Sequence, residues 1–174
     1  MSDRQRHRKI AIILWLAAAL LWMAFIYYKS SQTYSEQDMR PQLAAMIESA
    51  MLSRWLPQIE FSYGGQPVTY KRPYDMAEFF VRKGGHLAEY AVLAWLWLRV
   101  LYSSSITGIQ RYRFVIAAAI SLLYAGSDEW HQSFVPNRTG HAIDVAVDAA
   151  GIGLALLLEF AVRGRLRRRE PQKK

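Results

Sequence analysis

Residues 127–151 read SDEWHQSFVPNRTGHAIDVAVDAAG, and this stretch decides the fold. It lies between two apolar segments, yet it carries a dense set of ionisable and amide side chains: Asp128, Glu129, His131, Gln132, Arg138, His141, Asp144 and Asp148. A charged side chain at bilayer depth costs about 2.5–3.5 kcal/mol on insertion scales, so such residues normally face a bundle interior and pair with one another. The stretch therefore predicts helices that gather their polar groups in one place.

Outside this stretch, apolar and polar blocks alternate. The apolar segments cover about residues 10–28, 86–102, 113–126 and 142–162, and a long polar insertion, residues 29–85, separates the first two. The first segment carries no charge and is long enough to cross a bilayer. It lacks a small-residue cleavage site, which favours a retained anchor over a signal peptide. The sequence predicts an all-α protein, a small polytopic membrane helix bundle with four transmembrane helices and an extracytoplasmic insertion between helices 1 and 2. A soluble bundle with buried helices is the alternative, but aromatic residues near the segment ends favour the membrane.

Basic residues predict the orientation of these helices. The formal net charge is +8, and basic residues concentrate in two tails, residues 1–9 and 163–174, and around the short connection between the second and third segments (Arg99, Arg111 and Arg113). The positive-inside rule makes all three regions cytoplasmic. The insertion and the loop before the fourth segment then face outward. The tails are expected to lie against the membrane surface and not to bind nucleic acid.

Three local patterns organise the insertion. Apolar residues within residues 38–55 recur at helical spacing and predict one amphipathic helix. Residues 61–71, FSYGGQPVTYK, combine a Gly-Gly turn with flanking aromatics and predict a small hairpin. Asp75 is expected to cap the next helix with Glu78 as its capping-box partner, and that helix continues into the second span.

The predicted topology brings polar residues from three segments to the outer side. They are Arg82, Lys83, His86 and Glu89 or Tyr90 on the second span, Asp128, Glu129 and Gln132 after the third, and His141, Asp144 and Asp148 on one face of the fourth, with Gly151 continuing that face. Gly151 and Gly153 are expected to allow close helix packing. The plainest interpretation is a set of structural ion pairs between helices. However, extra buried charge is often neutral or unfavourable for stability, so the surplus favours a binding or acid–base site.

These residues resemble the motifs of the VanZ-like family of integral membrane proteins. That family shows R-K-x-x-H-x-x-x-Y, D-E-x-H-Q-x-F-x-P-x-R and D-x-x-x-D/N-x-x-G elements, which match FVRKGGHLAEYAVL, SDEWHQSFVPNRTG and IDVAVDAAG in order and spacing. Ser30-Ser31-Gln32 also resembles the usual S-S-Q after the first span, and the resemblance covers roughly residues 10–160. Asn137 stands where the family commonly has glycine, and the insertion is longer than in compact members. The family is named for a protein linked to low-level teicoplanin resistance, so the resemblance implies a multi-pass protein of the bacterial inner membrane that acts near cell-envelope chemistry.

Three classes of function fit this set of residues. In the first, an outward-facing pocket binds an anionic cell-envelope lipid or glycan intermediate, such as a prenyl phosphate or phospholipid. Arg82, Lys83 and Arg138 contact the phosphate, Asp144 and Asp148 orient these cations, and Gln132 and Ser31 add neutral hydrogen bonds. The candidate ligand-binding residues are Arg82, Lys83, Tyr90, Asp128, Glu129, Gln132 and Arg138.

The second class is a membrane hydrolase or transferase. Its candidate catalytic residues are His86 as general base, with Asp144 or Asp148 orienting it. Because no nucleophile elbow is present, water would be the nucleophile. The third class is a proton-coupled carrier that uses the intramembrane carboxylates. Four spans are few for a carrier, so this class would require a dimer, and a homodimer stays open as an alternative.

A metal site is the remaining chemical alternative. Residues of suitable type are His86, Asp128, Glu129, His131, His141 and Asp144. No dense metal-binding motif occurs, and nearby arginine and lysine side chains would repel a cation. The site residues are therefore assigned to no metal, and the cofactor is left unknown.

Overall fold

A computed structural model describes residues 3–136, 138 and 141–169. Over these ranges the chain is mostly helical, which confirms the all-α prediction. The long helices are α1 (Asp3–Ser30), α4 (Pro73–Ser103), α5 (Thr107–Gln132) and α6 (Ala142–Arg169). The insertion contains a 3₁₀ turn (Ser35–Gln37), the short helices α2 (Arg40–Met46) and α3 (Ser49–Trp55), and the strands β1 (Glu60–Tyr63) and β2 (Gln66–Thr69). Asn137 and the ends of both predicted tails, residues 1–2 and 170–174, lie outside the described residues.

The four long helices form a bundle around α4. Helix α1 runs antiparallel to α4: the Trp15 ring meets the Trp95 ring edge-on at 5.5 Å, and Trp22 donates to the Glu89 carbonyl at 2.9 Å. The core contains buried side chains from all four helices: Ile26, Tyr90, Leu93, Ala94, Ala125 and Ile152. The bundle thus fixes the register in which polar residues of different helices face one another.

Helices α4 and α6 approach most closely at Gly151. A Cβ atom built on this glycine would lie 2.1 Å from the Leu87 carbonyl oxygen, so no larger residue fits without moving the helices apart. Small residues permit such contacts between membrane helices. Close packing is the sequence-based expectation for Gly153 as well, but nothing lies within 4 Å of a Cβ atom there. The expectation is wrong for Gly153, because two residues along a helix turn the side chain to nearly the opposite face.

Two of the described helices, α1 and α6, are long and apolar enough to cross a membrane by length and composition. Their apolar side chains are mostly exposed, unlike those of a core helix in a soluble protein. Leu21 of α1, for example, is 72% exposed and Leu157 of α6 is 69% exposed. Apolar surface of this extent requires a covering that water does not provide. Helices α4 and α5 fall short of the same criterion, so the number of four spans stays a prediction.

The insertion differs from the sequence prediction at two points. The amphipathic segment is broken into α2 and α3 because Ile47 and Glu48 are extended, and the Ile47 carbonyl accepts a hydrogen bond from the Tyr74 hydroxyl at 2.9 Å. Helix α4 begins at Pro73, so Asp75 is not its cap. The hairpin is confirmed, and so is the continuation of this helix through residues 86–102. Gly64 and Gly65 form the turn with φ of 56° and 80°, the left-handed region that glycine adopts without strain.

Candidate functional site

Helices α4 and α6 face each other through a ladder of polar pairs at the end of the bundle that carries the insertion. Lys83 contacts the Asp144 carboxylate, and one turn further the His86 Nδ1 atom lies 3.5 Å from Asp148 Oδ1. The close contact at Gly151 continues the ladder. Lys83 and His86 are three residues apart, and Asp144 and Asp148 are four apart, so each pair shares one helix face and the two faces align. The predicted alignment of these two faces is therefore observed.

Helix α5 adds three buried polar side chains to the same region. Asp128 Oδ2 accepts hydrogen bonds from the Tyr90 hydroxyl at 3.1 Å and from Gln132 Nε2 at 3.0 Å. Gln132 Nε2 also lies 3.4 Å from Ser30 Oγ at the end of α1. Glu129 is the third member, and its Oε2 accepts the backbone N–H of His141 at 3.1 Å. The three predicted segments thus meet at one end of the bundle.

Glu129 lies beyond the end of the predicted third span and has an altered acidity. Its carboxylate is only 6% exposed. Burial, and next the charge of Asp144, raise the pKa of Glu129 to about 7. A carboxyl group with this pKa is partly protonated and partly ionised at neutral pH. Such shifted pKa values are typical of functional clusters.

Arg82 is paired differently from the prediction. Its guanidinium bonds the Glu78 carboxylate at 2.9 Å, one turn earlier on α4, and stacks over the Tyr34 ring at 4.6 Å. Glu78 is buried and also accepts from the Tyr34 hydroxyl at 3.1 Å. The expectation that Asp144 or Asp148 orients Arg82 is wrong. The i, i+4 spacing of Glu78 and Arg82 predicts this pair, but Glu78 was assigned to the capping box instead.

Arg138 binds backbone oxygens instead of a carboxylate. Its guanidinium donates to the Ser30 and Gln32 carbonyls at 3.1 and 3.2 Å, where α1 ends. Within the part of the chain that the structure describes, no carboxylate lies within 4 Å of it, so the expected pairing with Asp144 or Asp148 is also wrong. Burial and the nearby Arg82 charge lower the pKa of Arg138. Two arginine charges therefore lie close together and only one has a carboxylate partner.

Two cavities open between these side chains. The larger, about 360 Å³, is lined by residues of α1, the 3₁₀ turn, α4 and the loop before α6, including Lys29, Arg82, His86, Glu89 and Arg138. The smaller, about 160 Å³, shares Arg82, His86 and Arg138 and adds Lys83, Gln132 and Asp144. The larger cavity is of the size of small-molecule sites. Both cavities therefore share the same three basic side chains.

The hairpin of the insertion covers the Asp144 side of the site. The Tyr63 hydroxyl donates to the Asp144 carboxylate, and the Lys83 ammonium lies 4.5 Å from the centre of the Tyr63 ring. Burial and the hydrogen bond to Asp144 raise the pKa of Tyr63, so the phenol remains a donor at neutral pH. The sequence singled out this hairpin but did not predict its contact with the site, because the pairing joins segments 81 residues apart.

Some predicted participants lie elsewhere. His131 points to the far side of α5, where its ring stacks on Tyr27 at 4.6 Å and its Nε2 lies 3.2 Å from Ser31 Oγ. Ser31 therefore lines neither cavity, whereas the adjacent Ser30 lines the larger one and lies close to Gln132. Glu89, by contrast, lines the larger cavity, where it pairs with Lys29 of α1. One helical residue turns the side chain by about 100°, which separates Ser30 from Ser31.

One group within the site has the composition of metal ligands. His86, Glu129 and Asp148 each offer a ligand atom, and these atoms lie within 4.8 Å of one another. Of the six metal candidates predicted from sequence, only His86 and Glu129 belong to this group. Asp148 joins them, whereas Asp144 is engaged by Lys83 and Tyr63.

The opposite end of the bundle is basic. The guanidinium groups of Arg99, Arg113 and Arg163 surround the Tyr102 ring, at 5.2, 4.6 and 3.7 Å from its centre. Glu159 pairs with Arg99 and, at 2.5 Å, with Arg163. The acidic and basic clusters are thus separated along the helix axes.

Comparison with known proteins gives one finding. A family model described as VanZ/LLP1 matches residues 15–163 of the chain. No curated protein and no solved structure matches it. The matched range includes α4, α5 and most of α6, and so every residue that lines the two cavities described above.

Proposed function

The chain belongs to the VanZ/LLP1 family of membrane proteins, and we propose that its outer cavity binds the phosphate or pyrophosphate group of an anionic cell-envelope lipid. The lipid is of the prenyl phosphate or phospholipid kind, and its glycan-bearing intermediates share the same head-group chemistry. Binding of such a lipid would give this protein a route to altered glycopeptide susceptibility.

The observation that carries this proposal is the state of Arg138. A half-buried guanidinium beside a second one is unfavourable unless an anion compensates the charge. Arg138 uses one edge of its planar group on the end of α1, and its described contacts include no carboxylate. A phosphate accepts two parallel N–H bonds from an arginine and would supply the missing charge.

The wall of the cavity supports a lipid as the source of the phosphate. Val81 and Met39 provide apolar surface beside the basic groups. Lys29 lies at the end of α1, a helix with exposed apolar side chains. A head group in the cavity could therefore leave its acyl or prenyl chain against the outer face of the bundle.

The proposed topology has four spans with both termini cytoplasmic in the bacterial inner membrane. The basic cluster of Arg99, Arg113 and Arg163 would then lie at the cytoplasmic surface, in agreement with the positive-inside rule. The acidic and histidine-containing end, together with the insertion, would face outward. Helices α4 and α5 would cross the membrane with their charged groups at the ends of the bundle.

The experiment is lipid binding by purified protein in neutral detergent, measured by native mass spectrometry with a prenyl phosphate, phosphatidylglycerol and the uncharged prenol. Wild type should retain a phosphate-bearing lipid and not the prenol. Arg138→Ala should weaken this binding by at least about tenfold, because a hydrogen bond to a charged group contributes about 1.5–3 kcal/mol. Arg138→Lys should recover part of the affinity, since it restores the charge without the planar fork.

Arg54→Ala is the matched control, because Arg54 is exposed on α3 and lies outside both cavities. It should bind as wild type does. Equal binding by wild type and Arg138→Ala, or equal retention of prenol and prenyl phosphate, would contradict the proposal.

The contact between His86 and Asp148 favours one second candidate, a membrane hydrolase or transferase. Asp148 would orient His86 as a general base that activates water for attack on the bound phosphate ester. The sequence-based alternative of Asp144 is less favoured, because Asp144 is engaged by Lys83 and Tyr63. This candidate requires a released product from the lipid incubations, absent with His86→Ala, whereas a binding protein returns the lipid unchanged.

A further inference from the structure

Three facing side chains at the insertion end of the bundle carry four buried polar atoms that have no hydrogen-bond partner within the described part of the chain. They are His86 Nδ1, Glu129 Oε1 and both carboxylate oxygens of Asp148. Asp148 is fully buried and Glu129 is 6% exposed. Unpartnered buried polar atoms are rare in native proteins, and each one requires an explanation. Here they belong to three side chains from three different helices that face one another.

The nearby basic side chains do not provide the missing partner. Lys83 is bound to Asp144 and Arg82 to Glu78, while Arg138 donates to backbone carbonyls. In the described ranges no lysine or arginine nitrogen lies within 4 Å of Glu129 or Asp148. The sequence-based argument against a metal was repulsion by these cations. In the structure this repulsion is weak, because other partners keep the cations away from the two carboxylates.

We propose that His86, Glu129 and Asp148 bind one divalent transition-metal ion of the Mn²⁺ or Zn²⁺ kind. An imidazole nitrogen with two carboxylate oxygens is a donor set that suits these ions, whereas Mg²⁺ and Ca²⁺ prefer oxygen alone. Ligand atoms bound at about 2.0–2.2 Å lie roughly 3–4 Å apart, so the observed group closes around an ion with side-chain shifts of about 1 Å. The ion would compensate the two buried negative charges.

The position of the site relates it to the cavities. His86 lines both of them, so the ion would lie in the wall beside Arg82 and Arg138. Three protein ligands leave a coordination position open, which is the arrangement of catalytic sites, whereas structural zinc sites are closed. The metal site goes beyond the proposed lipid binding and does not require it, because the ligands are all side chains of this chain.

The experiment uses the full-length protein, purified with a chelator and equilibrated by dialysis with Mn²⁺ or Zn²⁺ alone. Elemental analysis should find about one ion per chain. In the Mn²⁺ sample, electron spin echo spectroscopy should detect the nitrogen coupling of one imidazole, and this coupling should be lost in His86→Ala. Asp148→Asn should weaken metal binding at least about tenfold, since even residues that only support ligands contribute 10–100-fold.

Glu159→Gln is the matched control. Glu159 is a largely buried carboxylate on the same helix as Asp148, but it pairs with Arg99 and Arg163 at the other end. It should bind metal as wild type does. The proposal is overturned if wild-type protein binds neither ion at stoichiometric level, or if the imidazole coupling persists in His86→Ala. The wild-type measurements decide the question even where a variant fails to fold, and lipid binding is measured separately.

Discussion

Gly151→Ala tests the contact between α4 and α6 on which their polar pairs depend. The new methyl group would lie 2.1 Å from the Leu87 carbonyl oxygen. The shortest ordinary carbon–oxygen contacts are about 3.3 Å, so α4 and α6 would have to separate locally by roughly 1 Å. Overpacking of this kind costs about 1–3 kcal/mol. We therefore expect the free energy of unfolding to fall by that amount.

Gly153→Ala is the control, since a methyl group there meets nothing within 4 Å. In a helix interior this change should raise stability by about 0.5–1 kcal/mol. The assay is reversible unfolding in mixed micelles, followed by tryptophan fluorescence. The free energy of unfolding should therefore fall in Gly151→Ala and rise in Gly153→Ala. In Gly151→Ala the separation of α4 from α6 should also weaken the polar pairs between these helices and lipid binding. An equal or greater stability of Gly151→Ala relative to Gly153→Ala would refute this account of the helix contact.

Two further predictions concern charge pairing and topology. Glu78→Gln removes the negative charge that pairs with the half-buried Arg82 guanidinium at 2.9 Å, so the free energy of unfolding should fall by about 1–3 kcal/mol in the same assay. Glu60→Gln on the exposed hairpin should have no measurable effect, and equal effects of the two changes would exclude a special role for the Glu78 pair. The native chain contains no cysteine, so single cysteine substitutions report the topology directly. A membrane-impermeant maleimide should label Ser62→Cys in intact cells and Ser105→Cys only after permeabilisation. The reverse labelling pattern would contradict the proposed orientation.

The convergence of three motifs could be predicted because helical periodicity determines it. Lys83 and His86, like Asp144 and Asp148, recur at three or four residues, so each pair lies on one face and a facing helix meets both. Gly151 follows Asp148 on the same face, which is why its close packing was predictable. The same helical periodicity places Gly153 on another face of α6 and excludes it from the contact.

The individual partners could not be predicted in the same way. Arg138 bonds to backbone carbonyls where α1 ends, and every residue type provides such carbonyls, so no sequence pattern marks them. The contact of Tyr63 with Asp144 depends on how the insertion folds over the bundle. The break at Ile47 in the amphipathic segment is likewise stabilised by a distant group, the Tyr74 hydroxyl. Long-range contacts of this kind override local preferences.

The effect of Asp148→Asn on stability distinguishes a structural role of Asp148 from a metal-binding role. A structural ion pair with His86 would stabilise the fold, and its loss would be costly. However, the 3.5 Å separation is too long for a normal hydrogen bond, and both carboxylate oxygens of Asp148 are unpartnered within the described residues. Such a group costs about 1–3 kcal/mol to bury. In chelator, Asp148→Asn should therefore be at least as stable as wild type, while added Mn²⁺ should stabilise only wild type, since an ion that binds the folded state alone raises its stability. Lower stability of Asp148→Asn in chelator would instead identify Asp148 as a structural partner of His86.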